Sequence, residues 1–187
     1  MKNIAIFASG NGTNAERIIR YFQHNRNVNV PLVLSNRPDA GVLERAQKLG
    51  VKTIVFDRHT LHHTEEIISI LRSHKIDLVV LAGFLWLVPQ NLLDAFKNKI
   101  VNIHPALLPK YGGKGMYGYH VHEAVIQAGE EISGITIHYV NEKYDEGQII
   151  FQKSLGVNPD ETPESLAKKI HELEYEYYPK VIEEIIQ

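Results

Sequence analysis

The sequence contains no cysteine, which excludes disulfides, thiolate zinc sites and a cysteine nucleophile. No sign of charge is in excess either: 20 Lys and Arg stand against 22 Asp and Glu, for a formal net charge of −2. The clustered basic surface that nucleic-acid binding needs is therefore not indicated. No run approaches the ~20 apolar residues of a membrane span, and no apolar stretch near the start leads to a small-residue cleavage site. What the chain does have is 187 residues, 44% hydrophobic and 22% charged. That is the balance of a soluble globular domain able to bury an ordinary core. A single domain over 1–187, at a cytoplasmic address, is the expectation.

Short apolar runs alternate with helical patterns. Ile4–Ala8, Val30–Leu34, Val51–Phe56, Leu78–Ala82 and Ile100–Ile103 read as buried strands. Between them, Ala15, Ile18, Ile19 and Phe22 mark one face of a helix, Val42–Leu49 a second that ends on Gly50, and Leu61–His74 a third. Pro89–Phe96 reads as a short helix. This alternation predicts βαβ units and an α/β, Rossmann-like, twisted, mostly parallel sheet with helices on both faces. Beyond a glycine-rich loop, Gly112–Tyr119, a helix near His122–Ala128 is followed by strands Gly134–Val140 and Gln148–Val157. The turn Asn141–Gly147 joins them closely enough for an antiparallel C-terminal edge. From Pro163 the tail is helical, and Pro179 is expected to kink or interrupt it. No repeat, linker or low-complexity segment is evident.

Two places carry chemistry. Ser9-Gly10-Asn11-Gly12-Thr13-Asn14 lies between the first strand and a helix N-terminus, where free N–H groups and the helix dipole suit a phosphate. Its spacing is neither the dinucleotide nor the NTPase pattern, so a phosphate monoester fits best. A plain turn with Thr13 or Asn14 as helix cap is the other reading. Asn102-Ile103-His104-Pro105 ends a parallel strand, at the edge where open α/β sheets bind ligands. Alternation puts Asn102 and His104 on one side. An amide can donate to a carbonyl oxygen turning into an oxyanion, and an imidazole beside it can move a proton. Asp145, in the later turn, is the carboxylate expected to pair with that histidine and keep it charged by raising its pKa. With no serine or cysteine beside them, direct attack by a substrate nucleophile is implied. The alternative is that Asn102 and His104 only satisfy local loop backbone and that Asp145 is an ordinary turn residue.

The run Asn102 to Tyr111, with Ser9–Asn14, Leu81-Ala82-Gly83-Phe84 and Tyr144-Asp145-Glu146-Gly147, resembles the formyltetrahydrofolate-dependent formyltransferases over essentially the whole chain. That resemblance implies transfer of a formyl group from 10-formyltetrahydrofolate, as co-substrate, to the amine of 5'-phosphoribosylglycinamide in de novo purine biosynthesis. It implies that Asn102 holds the formyl oxygen, that His104 acts as general acid, and that Asp145 pairs with His104 and helps remove the amine proton through water. It gives the substrate phosphate to Gly12, Thr13 and Asn14. It gives the folate to Leu85, Trp86, Leu87 and Val88, with Asn102, and the ribose hydroxyls to Glu174. Glu174 lies about 40° around its helix from Ile170, at the edge of the apolar stripe.

Two features depart from that pattern. Trp86 stands where some members carry arginine, and the loop Gly112–Tyr119 is longer than the short form. Lys114 within the loop is placed to reach an anion, and the loop is expected to close over substrate.

Ten histidines also invite a metal reading. His59, His62 and His63 lie in a polar segment and read as a solvated face. His120, His122 and His138 have spacing that suits zinc in a metal-dependent hydrolase, but no H-E-x-x-H helix accompanies them. The resemblance instead makes His120 and His138 a metal-free supporting shell. Related formyltransferases that act on tRNA, and formyl-folate hydrolases, are expected to need further domains. A non-catalytic nucleotide-binding module would leave Asn102, His104 and Asp145 without purpose. The implied partners are therefore small molecules, with no metal, nucleic acid or membrane; self-association is left open.

Overall fold

The structure, a computed structural model, describes residues 1–187. Five strands run parallel: β1 (Lys2–Phe7), β2 (Val28–Ser35), β3 (Lys52–Val55), β4 (Leu78–Leu81) and β5 (Ile100–His104). Two more complete the sheet: β6 (Ile132–Tyr139) pairs antiparallel with β5, and β7 (Ile149–Gly156) pairs antiparallel with β6. The strand order is β3-β2-β1-β4-β5-β6-β7. The α/β, Rossmann-like sheet with an antiparallel C-terminal edge is thus as the alternation predicts.

Successive residues of β1 point to opposite faces and enter two separate cores. Ile4, Ile6 and Ala8 join one with α1 (Thr13–Phe22), α2 (Gly41–Lys48) and α7 (Pro163–Ile185). Ala5 and Phe7 join the other with α3 (Arg58–His63), α4 (Glu66–Ser73) and α5 (Gln90–Ala95). The all-apolar β4 is buried on both sides, as a central parallel strand must be. From β1 the chain winds outward through β2 and β3, then returns to place β4 on the other side of β1. The switch in winding opens a crevice at the carboxyl ends of β1 and β4. No helix is long and apolar enough to cross a membrane.

Two helices differ from expectation. The single helix over Leu61–His74 is two, α3 and α4, broken at Thr64, whose backbone is extended. The Thr64 hydroxyl donates to the Thr60 carbonyl at 2.8 Å and accepts from the Glu66 amide at 3.2 Å. A threonine that bonds neighbouring backbone in this way competes with the helical ladder. Pro179, in contrast, does not interrupt α7, which runs unbroken for 23 residues. Proline removes the N–H that the Tyr175 carbonyl would accept. Arg17 Nε of α1 donates to that carbonyl at 3.2 Å instead, so a tertiary contact supplies the missing partner. Thr162 and Ser165 form a reciprocal capping box at the start of the same helix, with Pro163 inside its first turn.

Candidate active site

A cleft of about 900 Å3 occupies the crevice, walled by the segments after β1, β4 and β5, the glycine-rich loop and one face of α7. The first wall is Gly10–Asn14. Gly12 takes a left-handed backbone, φ 79°, and a Cβ there would lie 2.4 Å from the Val42 Cβ. Only glycine lets the chain turn against α2 at this point. Gly12 is also the N-cap residue of α1, and it gives no side-chain cap. The expected alternative of Thr13 or Asn14 as cap is therefore not what forms. The first-turn N–H groups, which no helix can satisfy internally, border the cleft. Asn14 turns its amide to Glu174 instead, Nδ2 donating to Oε2 at 2.9 Å. From behind, Arg45 fixes the loop through Asn11: Nε donates to its carbonyl at 2.9 Å and Nη2 to its Oδ1 at 3.1 Å.

At the other side of the cleft the end of β5 presents Asn102 and His104. β6 pairs with β5 so that His138 lies opposite Asn102 and Thr136 opposite His104. The turn after β6 brings back Asp145. A Cβ at Gly147 would fall 1.6 Å from the Tyr139 carbonyl, so this turn folds tightly onto the strand only with glycine there. Asp145 Oδ2 lies 3.4 Å from His104 Nδ1, and Oδ1 lies 3.6 Å from His138 Nε2. The Gly113 amide donates to Oδ2 at 2.9 Å, which ties the turn that carries Asp145 to the glycine-rich loop. The three residues expected to work together thus converge.

The hydrogen bonds fix who donates. His138 Nδ1 lies 2.8 Å from the Tyr139 carbonyl and so carries a proton, leaving Nε2 to accept from Asn102 Nδ2 at 3.2 Å in the neutral ring. An amide nitrogen has two N–H groups, so Asn102 keeps one for a ligand. His104 Nε2 donates to the Tyr111 carbonyl at 2.7 Å.

Burial sets the charge state. His104 is 3% exposed. Desolvation pulls its pKa below the ordinary value and outweighs the opposing pull of Asp145 and of the Tyr111 carbonyl. Asp145 does raise it, as expected, but not enough to keep the ring charged, and that part of the expectation is corrected: the resting imidazole is neutral. Asp145 is itself half-desolvated, which pushes its pKa up, but the neighbouring His138 and His104 rings and the Gly113 amide together hold it below the usual range. The two partners are thus uneven. Asp145 is ionised, while His104 is held ready to accept a proton rather than already charged.

The remaining candidates fall as follows. Glu174 is 4% exposed and lines the cleft, accepting from Asn14 and from His171 Nδ1 at 2.8 Å. Leu85, Trp86, Leu87 and Val88 form one wall, and the backbone of Trp86 and Leu87 makes no hydrogen bond within the protein. Trp86 carries the Arg58 guanidinium 5.2 Å above its ring, so a cation stands beside the position where the expected arginine is missing. Lys114 borders the cleft from the loop. His120 does not belong here: it is exposed and meets Tyr117 edge-on. Helix α6 (Tyr119–Gln127) begins before it, and residues two apart on a helix point about 200° apart. His122 therefore takes the inward place, 2% exposed. No three His, Asp or Glu side chains are disposed to hold a metal ion.

Several supports were not evident from sequence. Ser9, 1% exposed, donates to Asn36 Oδ1 at 2.6 Å and accepts from the Leu85 amide at 3.0 Å, clasping the loops after β1, β2 and β4. Thr136 donates to the Ala106 carbonyl and accepts from the Leu108 amide, shaping the turn beyond His104. Tyr178 of α7 donates to the Leu81 and Val101 carbonyls, at 2.9 and 3.3 Å, next to the strand ends that carry the site.

The model of the formyl transferase family matches residues 2–182. The chain is 41% identical to the chloroplastic phosphoribosylglycinamide formyltransferase of Arabidopsis thaliana, over 97% of this chain and 64% of that protein. It therefore spans just under two thirds of that relative. It is 37% identical to the phosphoribosylglycinamide formyltransferase of Bacillus subtilis, over 100% and 95%. Among solved structures, the phosphoribosylglycinamide formyltransferase of Streptococcus pneumoniae TIGR4 superposes with a TM-score of 0.88 at 38% identity, covering both chains fully. That of Anaplasma phagocytophilum reaches 0.91 at 37% identity, over 100% of this chain and 87% of that one.

Proposed function

The chain belongs to the formyl transferase family, and from that premise we propose that it moves the formyl group of 10-formyltetrahydrofolate to the primary amine of 5'-phosphoribosylglycinamide. The observation that carries this reading is the pairing, in one cleft, of an uncapped helix N-terminus with the Asn102, His104 and Asp145 cluster. The first suits a phosphate monoester and the second an acyl-type carbon. The wall Leu85–Val88, apolar apart from unpaired backbone groups, suits a flat heteroaromatic ring with a hydrogen-bonding edge. The folate supplies an activated one-carbon unit on nitrogen.

The residues then divide the work. Gly12, Thr13 and Asn14 hold the phosphate at the helix N-terminus, and Glu174 accepts from the ribose hydroxyls. Asn102 directs its free N–H at the formyl oxygen and stabilises the negative charge that grows there as the amine adds. His104, neutral at rest, takes up the proton that the amine sheds, through a water held by Asp145. It then returns that proton to the leaving nitrogen, so the step balances without a covalent enzyme adduct. Asp145 steadies the imidazolium that exists between the two transfers. His138 fixes the orientation of the Asn102 amide.

The direct test is a spectrophotometric assay of purified protein with both substrates. Turnover should require the ribonucleotide. Turnover that continues without it would mean hydrolysis of formyl-folate instead. His104→Ala and Asp145→Ala should each lower kcat by about 100-fold or more while ribonucleotide affinity changes little. Unchanged kcat in both would remove the assignment.

A further inference from the structure

His122 is the one buried titratable side chain of the cleft that the mechanism above does not use. It projects from α6 and is 2% exposed, yet its Nδ1 has no hydrogen-bond partner. A neutral imidazole carries a proton on one ring nitrogen and a lone pair on the other. The unmet Nδ1 is therefore a missing donor or acceptor contact whichever tautomer the ring takes. Leaving such a group buried and unpaired costs on the order of 1–3 kcal/mol, so a residue chosen for packing alone would be apolar. Elsewhere the site is well satisfied: His104, His138 and His171 each have a hydrogen-bond partner.

Position narrows the missing partner. The ring lines the same cleft as Asn14, His104, Asp145, His171 and Glu174, and its helix packs against α7, which carries the last two. The ring thus stands between the phosphate-loop side of the cleft, where Asn14 meets Glu174, and the His104–Asp145 side. A ligand anchored by phosphate at one end and reacting at the other passes its uncharged middle along this ring. Burial keeps His122 neutral, its pKa lowered to about 4, so it offers a neutral hydrogen bond and suits a hydroxyl or amide better than an anion.

We propose that His122 is a further substrate-binding residue, which hydrogen-bonds the sugar–amide stretch of the ribonucleotide and so sets the distance between phosphate and reacting amine. This rests on the function proposed above. The test compares wild type, His122→Phe and His122→Asn by steady-state kinetics in each substrate, with thermal unfolding of the free proteins alongside. Phenylalanine keeps the ring and removes the polar atoms, whereas asparagine restores a polar atom near the place of Nδ1.

His122→Phe should raise the KM for phosphoribosylglycinamide about tenfold, leave the KM for formyl-folate unchanged and unfold no lower than wild type. His122→Asn should recover part of the loss. A ribonucleotide KM unchanged in His122→Phe, or a shift in the folate KM alone, would overturn the assignment. So would a lowered melting temperature with both KM values intact, which marks a purely structural residue. Absence of ribonucleotide-dependent turnover in wild type would instead overturn the function itself.

Discussion

His104 and Asp145, the two ionisable partners of the proposed reaction centre, have unequal surroundings, and under that proposal the inequality is what makes them useful. His104 sits 3% exposed beside apolar strand residues, so desolvation favours its uncharged form. Asp145 has two imidazoles and a backbone amide around it and stays ionised although burial opposes it. A proton arriving at His104 therefore meets a carboxylate already in place, and no charge need move to receive it. This arrangement has a consequence in solution. In the free protein the His104 ring should titrate below the ordinary histidine value near 6.5, read from its Cε1–H resonance by NMR. Asp145→Asn removes the carboxylate that opposes desolvation, so the His104 midpoint should fall further. A midpoint that rises in Asp145→Asn would show that burial is not the dominant influence.

At the scale of elements, each functional segment begins where a regular element must stop. Gly12 makes this concrete. Its left-handed backbone and the 2.4 Å approach to Val42 leave no room for a side chain, and both are needed to aim α1 at the cleft. Gly12→Ala should cost about 2 kcal/mol or more through backbone strain and overpacking, seen as a lower melting temperature. It should also raise the KM for the phosphorylated substrate while kcat at saturation changes less. An unchanged KM would separate the helix N-terminus from phosphate binding.

The strands and most helices were legible because periods of 2 and 3.6 depend only on which face is buried, and the alternation of Asn102 and His104 is the same signal. The clasp at Ser9 was not legible, since its partners Asn36 and Leu85 lie 27 and 76 residues away. Nor was the continuity of α7 through Pro179, which depends on Arg17, 158 residues from the carbonyl that it satisfies. The choice between His120 and His122 turned on where α6 begins. A helix started at His122 leaves His120 in the loop, whereas one started at Tyr119 sends the two rings to opposite sides.

For the molecule as a whole, buried histidines make stability depend on pH with a definite sign. His122 is held at about 4 when folded against about 6.5 in an unfolded chain. Between those values the unfolded chain binds a proton that the folded protein refuses, so stability falls as pH falls through this window. His104 is lowered as well and acts in the same direction. Asp145, lowered from the carboxylate range, adds stability that persists above the ordinary value and disappears only at still lower pH. His171 works the other way: its bond to Glu174 raises it, so its contribution is present in acid and lost as pH rises through its folded value. Its side chain is 47% exposed, however, and solvent screening keeps that term small. The balance is a protein less stable at pH 4.5 than at pH 7, with His122 contributing at most about 3 kcal/mol of the difference. Urea unfolding at the two pH values measures it, and His122→Phe should flatten the dependence by removing its largest single source. Equal midpoints for wild type at both pH values would mean that the ring is reached by water and charges freely, which would also remove the reason for it to seek a hydrogen bond from a ligand.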